Sequence, residues 1–146
     1  MTLVPPPGRL AVVVGGAAAP VAAALVRHTV SHVLRHEGAD AHVAVTFLGK
    51  DAMRRLNQRH LDHDWPTDVI SFALPQPDGA VTGDIYICRY MAAREARRRG
   101  LAVREELVRL MVHGTLHVIG HVHDEGEART RSPMWTLQEH YVRELS

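Results

Sequence analysis

The segment LMVHGTLHVIGHVHDE, residues 110–125, constrains this chain more than any other. It holds four of the chain's 11 histidines in an otherwise apolar run, with no acidic or basic residue besides them before Asp124. Leu107, Leu110, Met111 and Leu116 recur at helical spacing, which predicts a helix over about 103–119 with those residues toward a core. His113 and His117 then stand at i and i+4, roughly 6 Å apart at Cβ, so both imidazoles reach one ion. Gly120 can take the left-handed conformation that ends a helix and turns the chain back. That return aims His123 at the same ion, with Asp124 beside it to support the ring. His121, four residues after His117, competes for the third position, but a helix continued through Gly120 rotates it about 80° away from His113. The reading is a zinc site, one ion per chain, at the end of a helix in the C-terminal half: His113, His117 and His123.

The pattern H-x3-H-x2-G-x2-H has the spacing of the metzincin zinc site, where three histidines leave one coordination position open. Zinc peptidases of the H-E-x-x-H type place a glutamate base after the first histidine, and here that position is Gly114. A metallopeptidase is therefore the less favoured reading. A metal that acidifies water and polarises a phosphoryl oxygen needs no glutamate there, so phosphodiester hydrolysis fits better.

The rest of the chain sets the frame. At 146 residues it reads as one domain over 1–146, large enough to fold without a metal, so an ion would serve chemistry. Lys and Arg number 17 against 16 Asp and Glu, so no global field commits the protein to nucleic acid or membrane. The single cysteine, Cys88, excludes an intrachain disulfide and fits a reducing compartment, with the cytoplasm as the default. LAVVVGGAAAPVAAALV (10–26) has the apolar character of a signal peptide. The preferred reading is a strand, a Gly15-Gly16 turn and a helix opening near Pro20. Further strands are expected at 42–49, 68–74 and 83–89, and helices at 20–36, 51–59 with Asp51 as cap, 90–99, 103–119 and 133–144. That order predicts an α+β (α/β layer) fold, a small sheet of about four strands with flanking helices. His28, His32 and His36 repeat at i, i+4 and i+8 and read as a partly solvated stripe. Arg54, Arg55, Arg59, Arg94, Arg97, Arg98 and Arg99 read as solvated helix faces, and become candidate phosphate contacts only if the chain binds nucleic acid.

Three stretches resemble the YbeY family. HGTLHVIGHVHD (113–124) is similar to its H-G-x-L-H-L-x-G-x-D-H signature, LNQRHLDHDWPTDVISF (56–72) to L-N-x-x-Y-R-x-x-D-x-P-T-D-V-L-S-F, and GDIYIC (83–88) to G-D-I-x-I. With Met134 and Gln138-Glu139, the similarity runs in order over about residues 42–142. The resemblance implies a cytoplasmic, zinc-dependent endoribonuclease that cuts single-stranded RNA in small-subunit rRNA maturation and ribosome quality control. Its implied partners are rRNA, the small ribosomal subunit and assembly factors, with no membrane. It places the metal ligands on His113, His117 and His123.

Two positions depart from the pattern. Val122 replaces the aspartate before the third histidine, with Asp124 only after it, and the family's tyrosine-arginine pair falls on His60 and Leu61. That arginine is thought to help engage RNA phosphate, so Arg59 becomes the candidate phosphate contact. Asp68, in the PTDV stretch, is a candidate to orient a zinc histidine, as is Asp124, and no general base is assigned. The alternative is an rRNA-binding assembly factor with a structural or vestigial zinc site, which Leu61 favours.

Overall fold

The computed structural model describes residues 10–15, 19–122 and 132–146. His123, Asp124 and Gly16 lie outside them. The elements are β1 (Leu10–Gly15), α1 (Ala23–His36), β2 (Ala41–Leu48), α2 (Lys50–Leu61), β3 (Val69–Pro75), β4 (Val81–Cys88), α3 (Arg89–Arg99), α4 (Val103–Val118) and α5 (Pro133–Leu145). The class is α+β. Strands β2 and β4 form the centre of the sheet, with β3 along β4 and β1 along β2, giving the order β1-β2-β4-β3. The sheet is mixed: β1 with β2 and β2 with β4 are parallel, while β3 and β4 are antiparallel. Periodicity alone cannot assign that property, because it depends on which strands become neighbours.

The hairpin between β3 and β4 is closed by local chemistry. Gln76 N–H donates to Ala80 O at 2.8 Å, Gly79 N–H to Gln76 O at 3.1 Å, and the Asp78 carboxylate accepts from Ala80 N–H at 3.0 Å. Gly79 supplies the positive φ, 89°, that the turn demands.

Alternation along β2 and β4 gives the sheet two unlike faces. Val43, Val45 and Phe47 pair in register with Gly83, Ile85 and Ile87, and this face is buried under α1 and α4, with α5 packed on α4. The opposite face carries a smaller cluster in which Met53 of α2 packs with Ile70 and Cys88.

Helix α4 lies close against the first face through two glycines. A Cβ at Gly83 would come within 2.4 Å of Val118, and one at Gly114 within 2.7 Å of Ile85 and 3.1 Å of the Ser71 hydroxyl. Both approaches are shorter than real Cβ contacts, so Gly114 is a packing requirement as much as a missing base.

Two local expectations are corrected. The first helix opens at Ala23, not Pro20: Ala22 stays extended (φ −63°, ψ 140°), which lets Val21 reach the core before the helix begins. The second starts at Lys50 with Gly49 as its cap, so Asp51 sits inside the first turn and makes no capping bond. Its carboxylate there complements the helix dipole instead.

The candidate metal centre and its cavity

Helix α4 ends where the sequence places the stop. Gly120 N–H bonds to His117 O at 3.0 Å and His121 N–H to Leu116 O at 3.0 Å, with Gly120 at φ 105°. This crossed pair of bonds is the Schellman arrangement that satisfies the last carbonyls and reverses the chain. His113 and His117 lie on one face of the final turns, their ring centroids 4.6 Å apart and their planes tilted by 77°. His113 is buried and His117 half-buried.

His121 is held elsewhere, its Nε2 3.0 Å from the Glu37 carboxylate at the end of α1. His123 and Asp124, the expected third ligand and its neighbour, lie outside the described residues. Among the described residues, no three His, Cys, Asp or Glu side chains are grouped to hold a metal ion.

The protonation pattern of His113 follows from its neighbours. Arg109 grips Glu139 with two bonds of 2.9 Å, from Nε and Nη2, and reaches Glu105 at 3.1 Å and Glu106 at 3.2 Å. Burial opposes ionisation of Glu139, but the hydrogen bonds and charge of Arg109, with a bond from Gln138, overcome it and hold the carboxyl below its ordinary range. The ionised Glu139 can only accept, so the contact from Gln138 Nε2 at 3.0 Å fixes which end of that amide is the NH2. The other end, Oε1, then faces His113 Nδ1 at 2.7 Å. An amide oxygen can only accept as well, so Nδ1 carries the hydrogen and, in the neutral ring, the Nε2 lone pair points away from Gln138. That is the tautomer an Nε2 metal ligand requires.

The same arginine treats its carboxylates unequally. Glu106, almost fully enclosed and contacted through a single oxygen, is pushed above its ordinary range by burial, which Arg109 and Arg99 only partly offset. The Arg109 guanidinium is itself pushed up, chiefly by its bonds to Glu139, against the opposing effect of its burial.

A cavity of about 500 Å³ opens beside this network, lined by His113 and Gln138 on one side and by Asp68, Arg98, Arg99 and Trp135 on others. The structure therefore brings Asp68 and His113 to one cavity. Arg59, in the exposed last turn of α2, does not line it among the described residues. Leu61 is 46% exposed at the end of the same helix. Gln138 and Arg109 were not singled out for this network from sequence. Their signal is a polar residue inside a buried helical stripe: Gln138 among Met134, Tyr141 and Val142, and Arg109 among Val108, Leu110 and Met111.

No helix among the described residues is long and apolar enough to cross a membrane. The sequence profile of the family Endoribonuclease YbeY matches residues 18–146. The chain is 34% identical over 120 residues to the Endoribonuclease YbeY of Thermotoga petrophila, covering 82% of this chain and 78% of that one. It is 35% identical over 123 residues to the Endoribonuclease YbeY of Chlorobium luteolum, covering 84% and 88%. The solution structure of TM1509 from Thermotoga maritima superposes with a TM-score of 0.66 at 28% identity, covering 94% of this chain and 89% of that one. With the profile spanning nearly the whole chain and these relatives matched over most of their length, this protein belongs to the Endoribonuclease YbeY family.

Proposed function

We propose that this protein is a zinc-dependent endoribonuclease that cuts single-stranded RNA during maturation of small-subunit rRNA. The observation that carries the reading is His113, a buried histidine at a cavity, fixed by Gln138 through its Nδ1, in a chain of the Endoribonuclease YbeY family. The donor set fits zinc: two imidazoles one turn apart, the first oriented by a buried amide, with His123 as the third ligand after the Gly120 turn. Bound zinc would supply Lewis-acid polarisation of a phosphate oxygen and a lowered pKa for water.

The chain's own residues do the rest. Gln138 holds the His113 ring, Glu139 holds Gln138 and is itself held by Arg109, and Asp68 lines the same cavity, where it can orient a ligand histidine or a water. Arg98 and Arg99 line the cavity beside their carboxylate partners Glu95 and Glu106, and Arg59 serves as an outer phosphate contact. Small-subunit rRNA and assembly factors are the partners in this reading, the cytoplasm its location, and ribosome quality control a second setting for the same cleavage.

Peptidase chemistry is disfavoured on steric grounds, since Gly114 has no room for a side chain beside His113. The assembly-factor reading draws on Leu61, an exposed apolar residue where the resemblance places an arginine.

Metal analysis together with cleavage of a defined single-stranded RNA tests the proposal. Wild-type protein should hold about one zinc per chain and cut the RNA. His117→Ala, purified identically, should lose both, and Arg59→Ala should keep the metal while cutting more slowly. If wild type and His117→Ala alike fail to cut yet bind rRNA, the assembly factor is the better reading.

A further inference from the structure

The cavity at His113 is the inner end of a longer groove. It shares Asp68, Glu95 and Arg98 with a second cavity of about 700 Å³ that is also lined by Trp65, Met91 and Arg94. The second shares Pro66 and Arg94 with a third of about 440 Å³, lined by Lys50, Asp51, Arg54 and Tyr90. The three form one path from His113, past the α2–β3 loop, to the N-terminal ends of α2 and α3.

Two large aromatic side chains line this path in the open, Trp65 at 55% and Tyr90 at 44% exposure. Neither ring belongs to the hydrophobic clusters on the two faces of the sheet. Trp65 is not loosely placed, because its carbonyl accepts a 2.8 Å bond from buried Asn57 and the His63 ring lies against its own, centroids 4.5 Å apart and planes tilted by 39°. Tyr90 has the Lys50 ammonium 5.1 Å from its ring centroid.

Cations and carboxylates balance in the two inner cavities, and positive charge gathers at the outer end. The outer cavity sets Lys50, Arg54 and Arg94 against Asp51 alone. Lys50 and Arg94 make no ion pair with a carboxylate among the described residues, whereas Arg98 is tied to Glu95 and Arg54 lies 3.5 Å from Asp64. Cations without carboxylate partners, interleaved with exposed rings along a groove, match what a single strand presents: phosphates on one edge and base faces on the other.

We infer that this groove binds single-stranded RNA and leads it to the His113 cavity, with a nucleobase stacked on Trp65, a second on Tyr90, and Arg94 on the phosphate between them. The inference rests on the endoribonuclease reading and adds to it where the strand lies outside the cutting site. Stacking on a ring is tolerant of base identity, so the groove sets the path of the strand without selecting a sequence.

The test is fluorescence-anisotropy binding of a labelled 2′-O-methyl oligouridine of about ten nucleotides, beside an abasic oligomer with the same sugar-phosphate backbone. Trp65→Ala should weaken oligouridine binding about 5- to 150-fold while leaving the abasic oligomer unchanged, and Trp65→Phe, which keeps a ring, should stay within a few fold of wild type. Arg94→Ala should weaken both probes and lower the salt slope by about 0.7, the value for one phosphate contact on a single strand. The groove is overturned if Trp65→Ala binds oligouridine as wild type does, or loses both probes equally. Wild type that cuts single-stranded RNA while Trp65→Ala is indifferent removes the groove alone. Wild type that neither binds nor cuts it removes the endoribonuclease reading as well.

Discussion

Helices α1 and α4 both carry histidines one turn apart, and the surroundings make different objects of them. In α4 the first ring is buried, its tautomer is fixed through Gln138 and Glu139, and a cavity opens beside it. In α1, His28 and His36 are exposed; His36 Nδ1 bonds to the His32 carbonyl at 2.7 Å. His32 Nε2 is engaged by the Glu144 carboxylate of α5 at 3.3 Å, and that same oxygen meets His140 at 3.3 Å. The contrast teaches that i, i+4 spacing makes a ligand pair possible, while burial and a fixed second nitrogen make it ready.

The largest effect is expected at Gly114, which separates the two helices sterically. After His28 the chain carries a buried Thr29, but after His113 there is no room for a carbon. Gly114→Ala should cost about 1–3 kcal/mol in urea unfolding, and Gly114→Glu should fail to fold rather than become a peptidase. A Gly114→Ala midpoint equal to that of wild type would show that α4 can back away from the sheet, and the contrast would lose its steric half.

A smaller effect, on metal rather than fold, sharpens the other half. Gln138→Leu removes the acceptor at His113 Nδ1 and should weaken zinc binding about 10- to 100-fold in a competitive chelator titration, while Gln138→Glu retains it. His32→Gln should leave zinc binding untouched. Equal losses from Gln138→Leu and His32→Gln would mean that the two histidine sets are not different in kind.

The smallest effect is in acid. Both Glu139 and Glu144 have folded-state pKa values below the ordinary carboxylate range, Glu144 chiefly through its bond from His32. Each therefore contributes stability that is complete above about pH 4.5 and is lost as pH falls through the lowered folded value. Glu139→Gln should flatten the decline of stability below that pH, by at most about 1.4 kcal/mol per pH unit, the limit for one proton. Glu144 lies at the surface, so its share should vanish in high salt while that of Glu139 persists. A salt-sensitive Glu139 contribution would place the Arg109 network at the surface in energetic terms.

These tests also mark what the sequence made legible. The α4 helix, its histidine pair and its Gly120 stop follow from spacing and local backbone preference, and all three are in place. Asp68 came from the family resemblance, and only the tertiary fold shows it at the His113 cavity. Gln138 meets His113 across 25 residues and Arg109 meets Glu139 across 30, distances over which periodicity carries no information. The role of Gly114 was half legible. Its mismatch with peptidases could be read, but its contact with Ile85 depends on which strand lies beneath α4. The misplaced start at Pro20 has a simpler cause, since proline is compatible with a first helical turn without requiring one.

The tight seat of α4 reaches beyond packing. With only a hydrogen fitting between Gly114 and β4, the element that presents His113 and His117 has no vacancy beside the first ring for a proton acceptor. The fold thus divides labour: α4 is a fixed platform, and the position next to His113 is closed to any group that would receive or deliver a proton. Reactivity in such a scaffold is written in the side chains around the cavity, Asp68 and Glu106 among them, and a search for new hydrolytic chemistry on it would begin there.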